Sequence, residues 1–141
     1  MGISLRIEGV ENIFLGEHSI QSCVFMTDTS DDSNARSTDV VNTVRITGKI
    51  LTALDGFPVD DTMKLARWSM VRAENVDSYR KVTIDTVLAN QVVRKVYMPN
   101  AFVVGYEERY GDTEGVGEFI LTVRQKKDLF EGTTVQGGYG V

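Results

Sequence analysis

Apolar and polar residues alternate one for one along most of this chain, which is the side-chain period of a β-strand. Ile3, Leu5 and Ile7 interleave with Ser4, Arg6 and Glu8, and Gly9 ends that run. After a turn near Asn12 to Gly16, Ser19–Met26 reads as a second strand with Ile20, Val24 and Met26 in phase and Cys23 in step with Phe25. Val40–Leu51 forms a third, where Val44, Ile46 and Ile50 oppose Thr43, Arg45, Thr47 and Lys49. Tyr79–Leu88, Val92–Met98, Asn100–Glu107 and Gly117–Gln125 continue the pattern, with Ala89-Asn90 as a tight hairpin turn between the first two. Alternation of this kind belongs to an antiparallel sheet with one wet face. Asn100–Glu107 is apolar on both sides, as a central or covered strand would be.

One stretch departs from period two. VDDTMKLARWSMVRA, residues 59–73, has helical spacing, with Leu65, Ala66 and Ser69 on one stripe, flanked by Trp68 and Met70, and with Lys64 and Arg67 opposite. Asp60 or Asp61 is placed to cap its N-terminus by accepting from free backbone N–H groups. The order is three strands, a helix and four strands. It predicts a mainly β fold, a small antiparallel β-barrel or sandwich of about seven strands with one short α-helix between strands three and four. The predicted core is Ile46, Leu65, Trp68, Ile84, Phe102, Val104, Phe119 and Leu121.

The 141 residues fit one domain. Residues 1–130 form the expected β domain, with 27–39 as an extended polar loop, and 131–141 form a Gly-rich tail expected to be flexible. A single His (His18) and a single Cys (Cys23) cannot build a Cys/His zinc site or an internal disulfide. His18 beside Glu17 reads as an exposed turn residue, and Cys23 as a small packing residue. Glu107 and Glu108, adjacent in a strand, point to opposite faces and cannot converge on a substrate. Asp112 and Glu114 read as solvated rim charges. No GxGxxG, P-loop, HExxH or GxSxG pattern is present, so no catalytic residue, cofactor or metal is expected.

The net charge of −5 and the lack of an aromatic-interleaved basic run argue against sequence-specific nucleic-acid binding. No apolar run reaches the roughly 20 residues that span a bilayer, and the first residues lack a signal-peptide core, so assembly in the cytoplasm without membrane insertion is expected. The loop TDTSDDSNARSTD, residues 27–39, is acidic, but counted from Asp28 it places Ser33 and Asp39 where an EF-hand needs Gly and Glu. A polar loop of that length in a compact domain is usually functional. Its Asp28, Asp31, Asp32, Asn34 and Arg36 are the predicted inter-subunit contacts, supplying charge pairs and hydrogen bonds to a neighbouring copy.

The span 61–127 resembles the tube-forming proteins of contractile injection machines. These are the haemolysin-coregulated protein of type VI secretion and the tail tube proteins of contractile phages and phage-tail-like bacteriocins. The residues carrying the likeness are the helix DDTMKLARWSM, the hairpin RKVTIDTVLANQVVRKVYM, the strand PNAFVVGYEERYGDTEGVG and the last strand EFILTVRQKK. The resemblance implies a non-enzymatic structural subunit. Six copies would form a ring by pairing strand edges, rings would stack into an inner tube, and the 27–39 loop would reach the next ring. It further implies sheath, baseplate or spike proteins as partners and a final place in a phage-tail-like particle. A baseplate or tube-initiating ring protein of the same machine is the alternative. A monomeric small-ligand-binding β-barrel and a hydrolase are readings of other classes.

Overall fold

The computed structural model describes residues 2–29, 40–50, 61–111, 117–125 and 133–140. Among these residues, nine strands, one α-helix and one 3-10 turn are formed. The first four strands are β1 (Gly2–Glu8), β2 (Ile13–Leu15), β3 (Ile20–Thr29) and β4 (Val40–Ile50). After α1 (Thr62–Ser69) and the 3-10 turn Val76–Ser78 come β5 (Arg80–Leu88), β6 (Gln91–Arg109), β7 (Gly117–Gln125), β8 (Thr134–Gln136) and β9 (Tyr139–Gly140). The main path runs β2-β1-β5-β6-β7-β4-β3, with β8 and β9 added along β6. Every pairing is antiparallel. The fold is thus mainly β with one helix between the fourth and fifth strands. The described hydrogen-bonding path stays open, because no ladder joins β3 to β1 or β2.

One apolar cluster fills the inside. It draws Leu5 and Ile7 from β1, Ile13 and Leu15 from β2, Val44 and Ile46 from β4, Val82 and Ile84 from β5, and Phe119, Leu121 and Val123 from β7. These are alternate residues, as a sheet with one buried face requires. β2 lies where the sequence reading placed only a turn; three residues, IFL, are too few to show a period. Residues 134–140 likewise carry two short strands where no alternation points to them.

β6 is the larger correction. Val92–Met98 and Asn100–Glu107 are one strand of 19 residues. Pro99 does not break it because it sits at a bulge: Arg80 pairs with Ala101 and Val82 with Met98, so Pro99 and Asn100 together oppose Lys81. A further bulge falls at Val104, since Val103 pairs with Val123 and Gly105 with Thr122. Each extra residue reverses which parity faces the core. Val96 and Met98 point inward, then Ala101 and Val103, then Tyr106. Phe102 and Val104, expected in the core, are therefore outside it. Phe102 is half-buried, edge-on to Tyr79 at 5.9 Å, and Val104 is 45% exposed. Ile46, Leu65, Trp68, Ile84, Phe119 and Leu121 are all buried.

β3 repeats the device. Ile20 pairs with Gly48 and Ser22 with Thr47, leaving Gln21 extra. Beyond it Cys23 packs on the core and Val24 is exposed, the reverse of the expected phase.

Helix α1 buries Thr62, Leu65 and Trp68, an i, i+3 stripe, in place of the expected Leu65-Ala66-Ser69 face; Met70 is exposed. The indole decides this. Trp68 Nε1 donates to the Ser78 carbonyl at 3.1 Å, and the Arg80 guanidinium lies 5.4 Å from the ring centroid. Asp61 stands at the N-cap but makes no side-chain cap bond. Its carboxylate accepts from the Phe14 N–H at 3.0 Å and pairs with Lys64 at 3.2 Å, so it ties the helix to β2. Lys64 donates to the Asn12 carbonyl at 3.1 Å and Arg67 pairs with Glu11 at 3.1 Å, adding two further links to the β1–β2 turn.

Candidate assembly surfaces

The polar groups that would serve catalysis are spread apart. His18 is exposed in the turn before β3. Glu107 accepts from Arg109 at 3.0 Å, whereas Glu108 accepts from the Tyr106 hydroxyl at 2.7 Å and the Tyr110 hydroxyl at 2.5 Å. The two neighbours serve separate local contacts, and the Glu108 hydrogen bond raises the Tyr110 phenol above its ordinary range. Burial pushes the Cys23 thiol up to about 11, which leaves it protonated and unreactive at neutral pH. No group of three His, Cys, Asp or Glu with metal-binding geometry occurs among the described residues. Among them, too, no helix is long and apolar enough to cross a membrane.

Among the described residues, two depressions bear on ligand binding. The larger, about 430 Å³, is a groove with mixed polar and apolar walls beside β1 and β2, where Arg6 lies 5.9 Å from the Phe14 ring centroid. The smaller lies between Trp68, Tyr79 and Phe102 and holds about 90 Å³. That is far below the roughly 300–1,000 Å³ of a typical small-molecule pocket.

The sheet also offers backbone. β3 pairs with β4 on one side and has no ladder on the other among the described residues. The β5 ladder on β6 ends at Ala101, so residues 102–109 are paired only to β7 on the other side. These edges carry exposed apolar side chains, Val24 and Phe25 on β3 and Val104 on β6, with Tyr110 just past the end of β6. A sheet edge of this kind is a template for another strand. Asp28 belongs to β3, where its backbone pairs with Val41. Asp31, Asp32, Asn34 and Arg36 fall outside the described residues, as do Asp112 and Glu114. Periodicity located the strands bearing these edges. Which edges remain unpaired is a property of the strand order, and no local sequence signal reports it.

The geometry is that of an antiparallel sheet with open edges among the described residues, and comparison of structures shows which fold it is. The chain has the fold of Hcp1 from Flavobacterium johnsoniae, with a TM-score of 0.58 over 99% of this chain and 97% of that one, at 14% identity. A chain in the 6-fold symmetrised baseplate of the anti-feeding prophage matches at 0.55, covering 96% and 92% at 12% identity. A chain in the extended sheath-tube complex of the extracellular contractile injection system PVC matches at 0.55, covering 96% and 88% at 11% identity. No known family's sequence profile matches the chain, and no curated protein matches it in sequence.

Proposed function

We propose that this chain is a structural, non-enzymatic subunit of a phage-tail-like contractile injection machine. Copies join through their open strand edges into a ring of six, and rings stack into the inner tube. The observation that carries this reading is the end-to-end likeness of fold to Hcp1 and the PVC and anti-feeding-prophage chains, which extends over nearly the whole of both partners. The unpaired edges of β3 and of β6 beyond Ala101 supply the physical means. The loop 27–39, with Asp31, Asp32, Asn34 and Arg36, serves the contact between rings. Sheath and baseplate proteins are the remaining partners, and the assembled particle is the final location.

Negative-stain microscopy with light scattering tests the proposal. Concentrated protein is expected to form rings near six times 15.7 kDa, and stacks of them. A strictly monomeric protein at all concentrations overturns it. The second reading, a ring at one end of the tube, is favoured by the tube-terminating cap of the anti-feeding prophage and the PVC sheath/tube terminator. These match at 0.54 and 0.56, as well as the tube does. Rings that form but never stack would decide for that reading.

A further inference from the structure

The segment 134–140 lies against β6 in an unusual way. Gln136, Val135 and Thr134 pair with Lys95, Val96 and Tyr97, while Gly140 and Tyr139 pair with Gln91 and Val92. Between the two short ladders the segment crosses an irregularity in β6. Thr86 pairs with Arg94 and Val87 with Val92, so Val93 is an extra residue. The Val93 carbonyl oxygen sits where a side chain on residue 137 would begin; a Cβ there would collide with it. Gly138, at φ +80°, donates its N–H to the Val92 carbonyl at 2.9 Å. Gly137 and Gly138 are thus fitted to the bulge, one by lacking a side chain and the other by its left-handed backbone.

The same segment is loosely held. Every residue from 134 to 140 is exposed, and none belongs to the core cluster. Net backbone hydrogen bonds contribute only about 0.5–1.5 kcal/mol each, so release of the segment leaves the fold standing. It would, however, bare Val92, the one buried hydrophobic residue outside the core cluster among those described, and an unpaired edge.

We propose that the β6 edge from Gln91 to Tyr97 is a strand-acceptor site selective for the sequence TVQGGYG, and that the 134–140 segment of a second copy occupies it in exchange for the chain's own. Donor and acceptor are both encoded in this chain, so an identical copy satisfies every contact of the closed form. The intramolecular arrangement has an effective concentration on the order of millimolar, so exchange grows as copies are concentrated or held side by side. This edge differs from the β3 and distal β6 edges used for rings, and exchange stands or falls independently of them.

Cross-linking between two variants of the full chain tests it. One carries Cys23→Ser with Lys95→Cys, the other Cys23→Ser with Gln136→Cys. Mixed and oxidised, they are expected to give a disulfide-linked heterodimer whose yield rises with concentration. Adding Gly137→Val to a single chain that bears both cysteines is expected to cut the yield of its self-closed form about tenfold, the effect of a clash of one to two kcal/mol on docking of the segment. A chain bearing both cysteines closes on itself when dilute. No heterodimer at any concentration, with the double variant closing normally, overturns exchange. Failure of the double variant to close overturns the acceptor site itself, and an unchanged yield with Gly137→Val overturns its selectivity.

Discussion

Asp77 joins three parts of the chain. It receives Arg80 Nη2 at 2.5 Å and the Val10 N–H at 3.2 Å, and its own N–H donates to the Asn75 side chain at 2.9 Å. The hydrogen bond from Arg80 holds the carboxyl below the usual carboxylate range. The folded state therefore prefers the ionised form. The stability this confers is present above the unfolded-state value of about 3.9 and is lost as pH falls through the folded one. Asp77→Asn is expected to cost about 3 kcal/mol at pH 7, because Arg80 is buried and loses its counter-charge. The variant should also lose less stability than the parent as the solution is acidified below about pH 4, as urea melts across that range would show. Gly48 makes a different demand. A Cβ there would lie 2.5 Å from both the Phe119 ring and the Ser19 carbonyl oxygen. Gly48→Ala should destabilise by about 1–3 kcal/mol, read as a shifted denaturation midpoint. Cys23, with its thiol pushed up to about 11, should react with iodoacetamide at pH 8 far more slowly when folded than in urea.

Strands were legible wherever alternation ran unbroken for five or more residues. The β4 phase, with Val44 and Ile46 inside and Arg45 and Lys49 outside, follows directly from the pattern. The errors trace to bulges. Gln21 adds one residue to β3 without leaving a mark in composition, and the expected face is inverted beyond it; in β6 the face is inverted between the Pro99 bulge and Val104, whose extra residue restores the phase at Tyr106. Alternation alone divides β6 into Val92–Met98 and Asn100–Glu107 on either side of Pro99; the fold uses Pro99 at a bulge within one strand. The phase of β6 can be checked directly. Val104→Lys should change stability by no more than about 0.5 kcal/mol, as an exposed substitution does. Val103→Lys, one residue earlier and packed on the core, should lower the thermal midpoint markedly. The helix face was misassigned for another reason: its orientation follows a tryptophan whose partners, Ser78 and Arg80, lie beyond the helix.

At the scale of the molecule, apolar alternate residues are spent on one shared interior while, among the described residues, stretches of strand edge on β3 and on β6 beyond Ala101 stay unpaired. That combination stabilises the fold while leaving backbone donors and acceptors at those edges open to another strand. If the loop 27–39 joins successive rings, deleting Thr29–Arg36 should abolish stacking while the thermal transition of the isolated chain stays in place. Loss of the transition together with the stacks would mean that the loop supports the fold.

The length of β6 has a mechanical consequence. Nineteen residues at roughly 3.3 Å each give a strand with a contour of about 60 Å, bent at its bulges, bonded along its first part to β5 and along its last part to β7. Tension along this strand loads both ladders in shear, many hydrogen bonds at once, where a pull across the sheet would peel them one by one. The chain is therefore stiffer along its strands than across them, so its resistance to force depends on the direction of the pull.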